Sequence, residues 1–142
     1  YCYLPERDQI LIMNGKTEDA SKNYSEDQKK FPLKQVTFLY DVKSNTFGEL
    51  PAKKTPPVKP IQVVEYCEAQ KCALAVIANE QWLYSFDKGD WTQLPMTIEG
   101  GAKMGVQGPY GQMVWVAKYG IFVNFVGNTW VMRPDFSQVK WE

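Results

Sequence analysis

Histidine is missing from this sequence altogether. Without an imidazole, neither a Ser-His-Asp triad nor the common histidine-containing zinc sites can be assembled from these residues. Arginine is almost as scarce, with only Arg7 and Arg133 among sixteen basic residues. An excess of either charge is also lacking, since sixteen acidic residues cancel the basic ones. No like-charged block exceeds a short lysine pair, so the footprint of a nucleic-acid binder is absent and nucleic acid is not an expected partner. No apolar run approaches the roughly 20 residues of a membrane-spanning helix. The opening Tyr1-Cys2-Tyr3-Leu4-Pro5 lacks the zones of a signal peptide, and the sequence reads as a mature or excised segment.

Cysteine is sparse and odd in number, at three. Cys67 and Cys72 flank the polar stretch Glu68-Ala69-Gln70-Lys71, which reads as a hairpin turn. Residues facing each other there come within disulfide range, so this pair is the candidate bridge and Cys2 the odd thiol. The alternative is a pair of reduced, buried thiols acting as small apolar residues. Asn23-Tyr24-Ser25 is a glycosylation sequon in a polar loop, which tilts the expected compartment toward the extracellular side.

What is abundant is apolar and aromatic residues, at 44% and 14% of 142 residues, enough for a packed core. They fall into a repeat. Ile10-Leu11-Ile12-Met13-Asn14-Gly15, Ala73-Leu74-Ala75-Val76-Ile77-Ala78-Asn79 and Met113-Val114-Trp115-Val116-Ala117 are short apolar runs, ending in polar or turn residues, that read as strands buried on both faces. Each precedes a strand rich in aromatic and β-branched residues, at Val36–Val42, Trp82–Asp87 and Ile121–Val126. A polar turn follows each, then an aromatic (Phe47, Trp91, Trp130) and a closing proline (Pro51, Pro95, Pro134). A shorter strand candidate precedes each unit, at Tyr1–Leu4, Ile61–Cys67 and Ala102–Gln107. Four antiparallel strands at a period of roughly forty residues predict an all-β chain of about three β-propeller blades, over residues 1–51, 61–95 and 102–134. Residues 137–142 are expected to open a further strand. Because propellers close with four to eight blades, the chain is expected to be part of a larger ring, completed by blades from another chain, a second copy, or sequence outside these 142 residues.

The stretch Leu39-Tyr40-Asp41-Val42-Lys43-Ser44-Asn45-Thr46-Phe47, with Leu50-Pro51, resembles the third-to-fourth-strand region of kelch repeats. Leu83-Tyr84-Ser85-Phe86-Asp87 through Trp91 and Leu94-Pro95 repeats the likeness more loosely. Gly127-Asn128-Thr129-Trp130 is similar to tectonin-type lectin propellers as well. The resemblance implies a β-propeller. Two arginines do not make the cluster that a sialidase-like propeller needs for a carboxylate, so no catalytic residue, cofactor or metal is expected. Asp87 and Asp90 surround a turn that requires such residues anyway.

The expected function is a non-catalytic interaction module binding a protein partner, with a carbohydrate-binding propeller as the alternative. In a four-stranded meander the second-to-third-strand loops and the inter-blade segments share one face, and the long loops 16–35, 52–60 and 96–101 are expected there. Lys29, Lys30, Lys53, Lys54 and Lys59 are the candidate protein-binding residues, and Trp82 and Tyr119 the aromatics available to a glycan.

Overall fold

The computed structural model describes residues 1–17, 33–57, 61–77, 80–95, 112–126 and 128–141. These residues are all-β. The first sheet is a meander of β1 (Cys2–Leu4), β2 (Gln9–Thr17), β3 (Leu33–Asp41) and β4 (Thr46–Glu49). The second repeats it as β5 (Ile61–Cys67), β6 (Cys72–Ile77), β7 (Glu80–Ser85) and β8 (Asp90–Gln93). The third holds three strands, β9 (Gln112–Val116), β10 (Ile121–Val126) and β11 (Asn128–Met132). Every pairing is antiparallel. No α-helix occurs among the described residues, only three-residue 3-10 turns such as Glu68–Gln70 and Ala117–Tyr119.

Those turns correct the phase of the third unit. In the first two sheets the link between first and second strands ends on a residue with positive φ, Asp8 (53°) and Lys71 (46°). The same position before β10 is Gly120 (62°), at the end of the 3-10 turn that follows β9. The strand at Gln112–Val116 is therefore a first strand, where the sequence pattern suggests a second. Trp130 lies on a third strand opposite Asn124, and is not the counterpart of Phe47 and Trp91. The strand candidate at 102–107 lies outside the described residues. Phe136–Gln138 form a 3-10 turn, capped by the Asp135 carboxylate accepting from the Ser137 N–H, where a further strand is expected from the sequence. The first sheet also extends further than its sequence suggests, since Lys16 pairs with Lys34 and Thr17 with Leu33 inside the expected 16–35 loop.

Strand alternation gives each sheet two apolar faces. On one face a row runs directly across the strands: Tyr3–Ile10–Tyr40–Phe47 in the first sheet, Tyr66–Ala73–Tyr84–Trp91 in the second, Trp115–Phe122–Met132 in the third. The opposite face carries Cys2–Leu11–Leu39, Leu74–Leu83 and Val114–Val123–Val131. The aromatic face of the second sheet packs on Cys2, Leu4, Leu11 and Met13 of the first. The aromatic face of the third packs on Cys67, Leu74, Val76 and Leu83 of the second. Strand β5 touches β1 on one side and β9 on the other, so first strands neighbour first strands. Small side chains make this spacing possible. Ala73 and Ala75 sit directly opposite Tyr84 and Trp82 on the face toward the first sheet, and all of β6 is buried.

The three cysteines are free and buried, which corrects the expected bridge. Cys67 and Cys72 are directly opposed across β5 and β6 but stand 4.5 Å apart, separated by the 3-10 turn. The hydrogen bond shared with Cys67, together with burial, pushes the Cys72 thiol upward, and burial pushes the Cys2 thiol up to about 12. Both remain protonated near neutrality.

Candidate functional site

Turns between first and second strands and between third and fourth strands emerge at one end of the sheets, and side chains lock them together there. The Tyr66 hydroxyl on β5 donates to Glu6 Oε2 at 2.6 Å, and the Arg7 guanidinium lies 4.8 Å over the Phe86 ring. Burial and the Glu6 carboxylate together raise the Tyr66 phenol above its ordinary value. In the β3–β4 turn the Asp41 carboxylate accepts from the Ser44 N–H (2.8 Å), the Ser44 hydroxyl (2.7 Å) and the Gln9 amide (3.0 Å). These donors hold its pKa at about 2.

Beside the β7–β8 turn a cleft of about 580 Å³ opens, lined by Lys53, Lys54, Lys88, Asp90, Trp91 and Trp141. Three chain segments build it. Leaving the first sheet, the chain crosses to the outer strand of the second, where the Lys54 N–H donates to Asp90 Oδ1 at 2.9 Å. The same oxygen accepts from the Trp91 N–H at 2.9 Å, so this carboxylate is engaged by backbone. From the third sheet the chain returns along the other flank of β8, where Thr92 Oγ1 donates to the Lys140 carbonyl at 2.9 Å and Trp141 packs half-buried. Gly89 turns the corner at φ 65°. The outer strand of the second sheet is thus straddled by the two segments.

Of the residues singled out from the sequence, Lys53 and Lys54 meet in this cleft. They do so at the third-to-fourth-strand turn of the second sheet, whereas the 52–60 connection is expected at the opposite end. The reason is that β4 ends early, with the Leu50 N–H bonded to the Thr37 carbonyl at mid-strand, and the chain then crosses the rim. Lys29, Lys30, Lys59 and the sequon Asn23 lie outside the described residues. Trp82 is buried, 7% exposed, with its indole N–H donating to Glu80, and it packs between the first two sheets where no sugar can stack. Tyr119 is 56% exposed, its carbonyl accepts from Arg133 and the Lys118 ammonium lies 5.3 Å over its ring. Sequence reasoning misses Lys88 and Trp141. Lys88 reads as an ordinary turn residue, and nothing local shows that the chain near 141 returns to β8. Among the described residues no group of three or more His, Cys, Asp or Glu side chains is placed to hold a metal.

Three lysines line the cleft beside one carboxylate that backbone N–H groups engage, and the half-buried indole of Trp141 gives it an apolar wall. The chemistry of such a lining suits an anionic group carried on an apolar or extended backbone. Comparison with protein-family models, curated proteins and solved structures finds no match.

Proposed function

We propose that this chain is an arc of three kelch-like β-propeller blades acting as a non-catalytic interaction module, and that its protein partner presents an acidic segment to the Lys53–Lys54–Lys88 cleft. Meanders stacked face to face in chain order, with first strands adjacent, support the propeller reading. The observation that carries the functional reading is the convergence of three lysines from two separate chain segments on one cleft with an indole wall.

A glutamate-rich decapeptide titrated against the chain is expected to shift tryptophan emission through Trp141, with an affinity that falls as salt rises. The double variant Lys53→Glu, Lys88→Glu should weaken that affinity by at least about tenfold, while a lysine-rich peptide should not bind. Undiminished binding by the double variant would sink the reading. The carbohydrate alternative now rests on the exposed ring of Tyr119, and glycan-array binding lost in Tyr119→Ala would favour it.

A further inference from the structure

Two sheet junctions inside the chain follow one rule. A face of aromatic and bulky side chains on one sheet covers an aliphatic face on the sheet before it. In the chain as described, one face of each kind is left bare. The Tyr3–Ile10–Tyr40–Phe47 row occupies the same strand positions as the buried Tyr66–Ala73–Tyr84–Trp91 row, yet Tyr3 is 51% and Phe47 56% exposed. At the other end Val123 and Val131 occupy the strand positions of Leu74 and Leu83, which are buried, and Val114 that of Glu65 on β5. Val114 is nevertheless 50% and Val131 63% exposed.

We propose that these two faces cover one another between two copies of this chain, head to tail, so that two arcs close a ring of six sheets. The aliphatic face of the third sheet seats on the aromatic face of the partner copy's first sheet, and the reciprocal contact closes the other side. Continuity with the two internal junctions carries the choice of occupant: the bare faces are the two halves of a contact the molecule already makes twice. Apolar rows of this extent, unrelieved by charge at their centres, mark association surfaces. A contact between unlike faces closes when the rotation per sheet allows it, and six lies within the range of propeller rings. The proposal shares with the functional reading only the arc of blades, and its test does not involve the cleft.

Sedimentation velocity of the 142-residue chain across the micromolar range is expected to give a species of twice the 16.3 kDa of one chain. Phe47→Asp and Val131→Asp each place a carboxylate in both junctions of the ring. Each should therefore weaken dimerisation on the order of 100-fold while leaving the monomer folded, because both positions are exposed within one chain. Mixing the two variants leaves one intact junction, Val131 of the Phe47→Asp chain against Phe47 of the other. The mixture should dimerise more tightly than either variant alone. Should an aspartate variant fail to fold, Tyr3→Lys and Val114→Lys test the same faces. A monomer at all concentrations overturns the proposal, as does a dimer sensitive at only one of the two faces, or a mixture that gains nothing over its components.

Discussion

Trp91 shows how one residue can join two sheets. It is 1% exposed, packs against Tyr84 with ring centroids 5.2 Å apart, and donates its indole N–H to Thr37 Oγ1 of the first sheet at 3.1 Å. Trp91→Ala is expected to cost about 3–5 kcal/mol in urea unfolding, and Thr37→Val about 1–3 kcal/mol, since it strands a buried donor. A double-mutant cycle should show coupling between the two. Asp41 carries the acid sensitivity of its turn. Its folded pKa of about 2 lies below the ordinary 3.8, so its contribution is present above about pH 4 and is lost as pH falls through 2. The stability difference between the parent and Asp41→Asn should therefore be constant near neutrality and shrink between pH 4 and 2, as read by thermal unfolding. The sequence shows Trp91 as the recurring aromatic after a polar turn, and the structure adds its place between two sheets. The burial of Trp82 was not legible, because a residue that opens a sequence run as Trp82 does can face either way until register sets it opposite Ala75.

Between the strands, backbone conformation marks the repeat more faithfully than side-chain type. Asp8, Lys71 and Gly120 share one left-handed position, and Asn45 and Gly89 share another. Lys is poorly suited to this region, so Lys71→Gly should raise stability by about 0.5–1 kcal/mol. Gly120→Ala, with nothing within 4 Å of the added methyl, should lower it by about 1 kcal/mol through φ alone, both measured by thermal melts. The same point explains the misphased third unit. Apolar runs on a first and a second strand look alike when both are buried on two faces, and three different residue types at the shared position conceal it from a sequence pattern. The absent bridge has a similar cause: a hairpin register brings Cys67 and Cys72 opposite each other without bringing their sulfurs into bonding range. Alkylation of the native chain is expected to label none of the three thiols, and of the unfolded, unreduced chain all three, as read by intact mass.

For the molecule as a whole, serial stacking grades stability from the middle outward. Every residue of β6 is buried, whereas every residue of β4 is exposed. Hydrogen exchange should be slowest at Cys72–Ile77 and fast in Thr46–Glu49, and a uniform profile would contradict the stack. Sheet count and strand alternation were readable at this scale because apolar runs and polar turns recur in each unit, although the phase of the third unit was not. The cleft was half readable: two of its lysines stand out in a proline-rich connection, but their meeting with Lys88 and Trp141 depends on where two crossing segments land on β8.

The pairing of Ala75 with Trp82, and of Ala73 with Tyr84, has an evolutionary consequence. Volume at that junction is shared across a strand pair, so substitution histories at 75 and 82 should be linked, a larger residue at one accompanied by a smaller one at the other. Enlarging Ala75 alone would force the first two sheets apart. The sum of the pair can be redistributed, but it cannot grow.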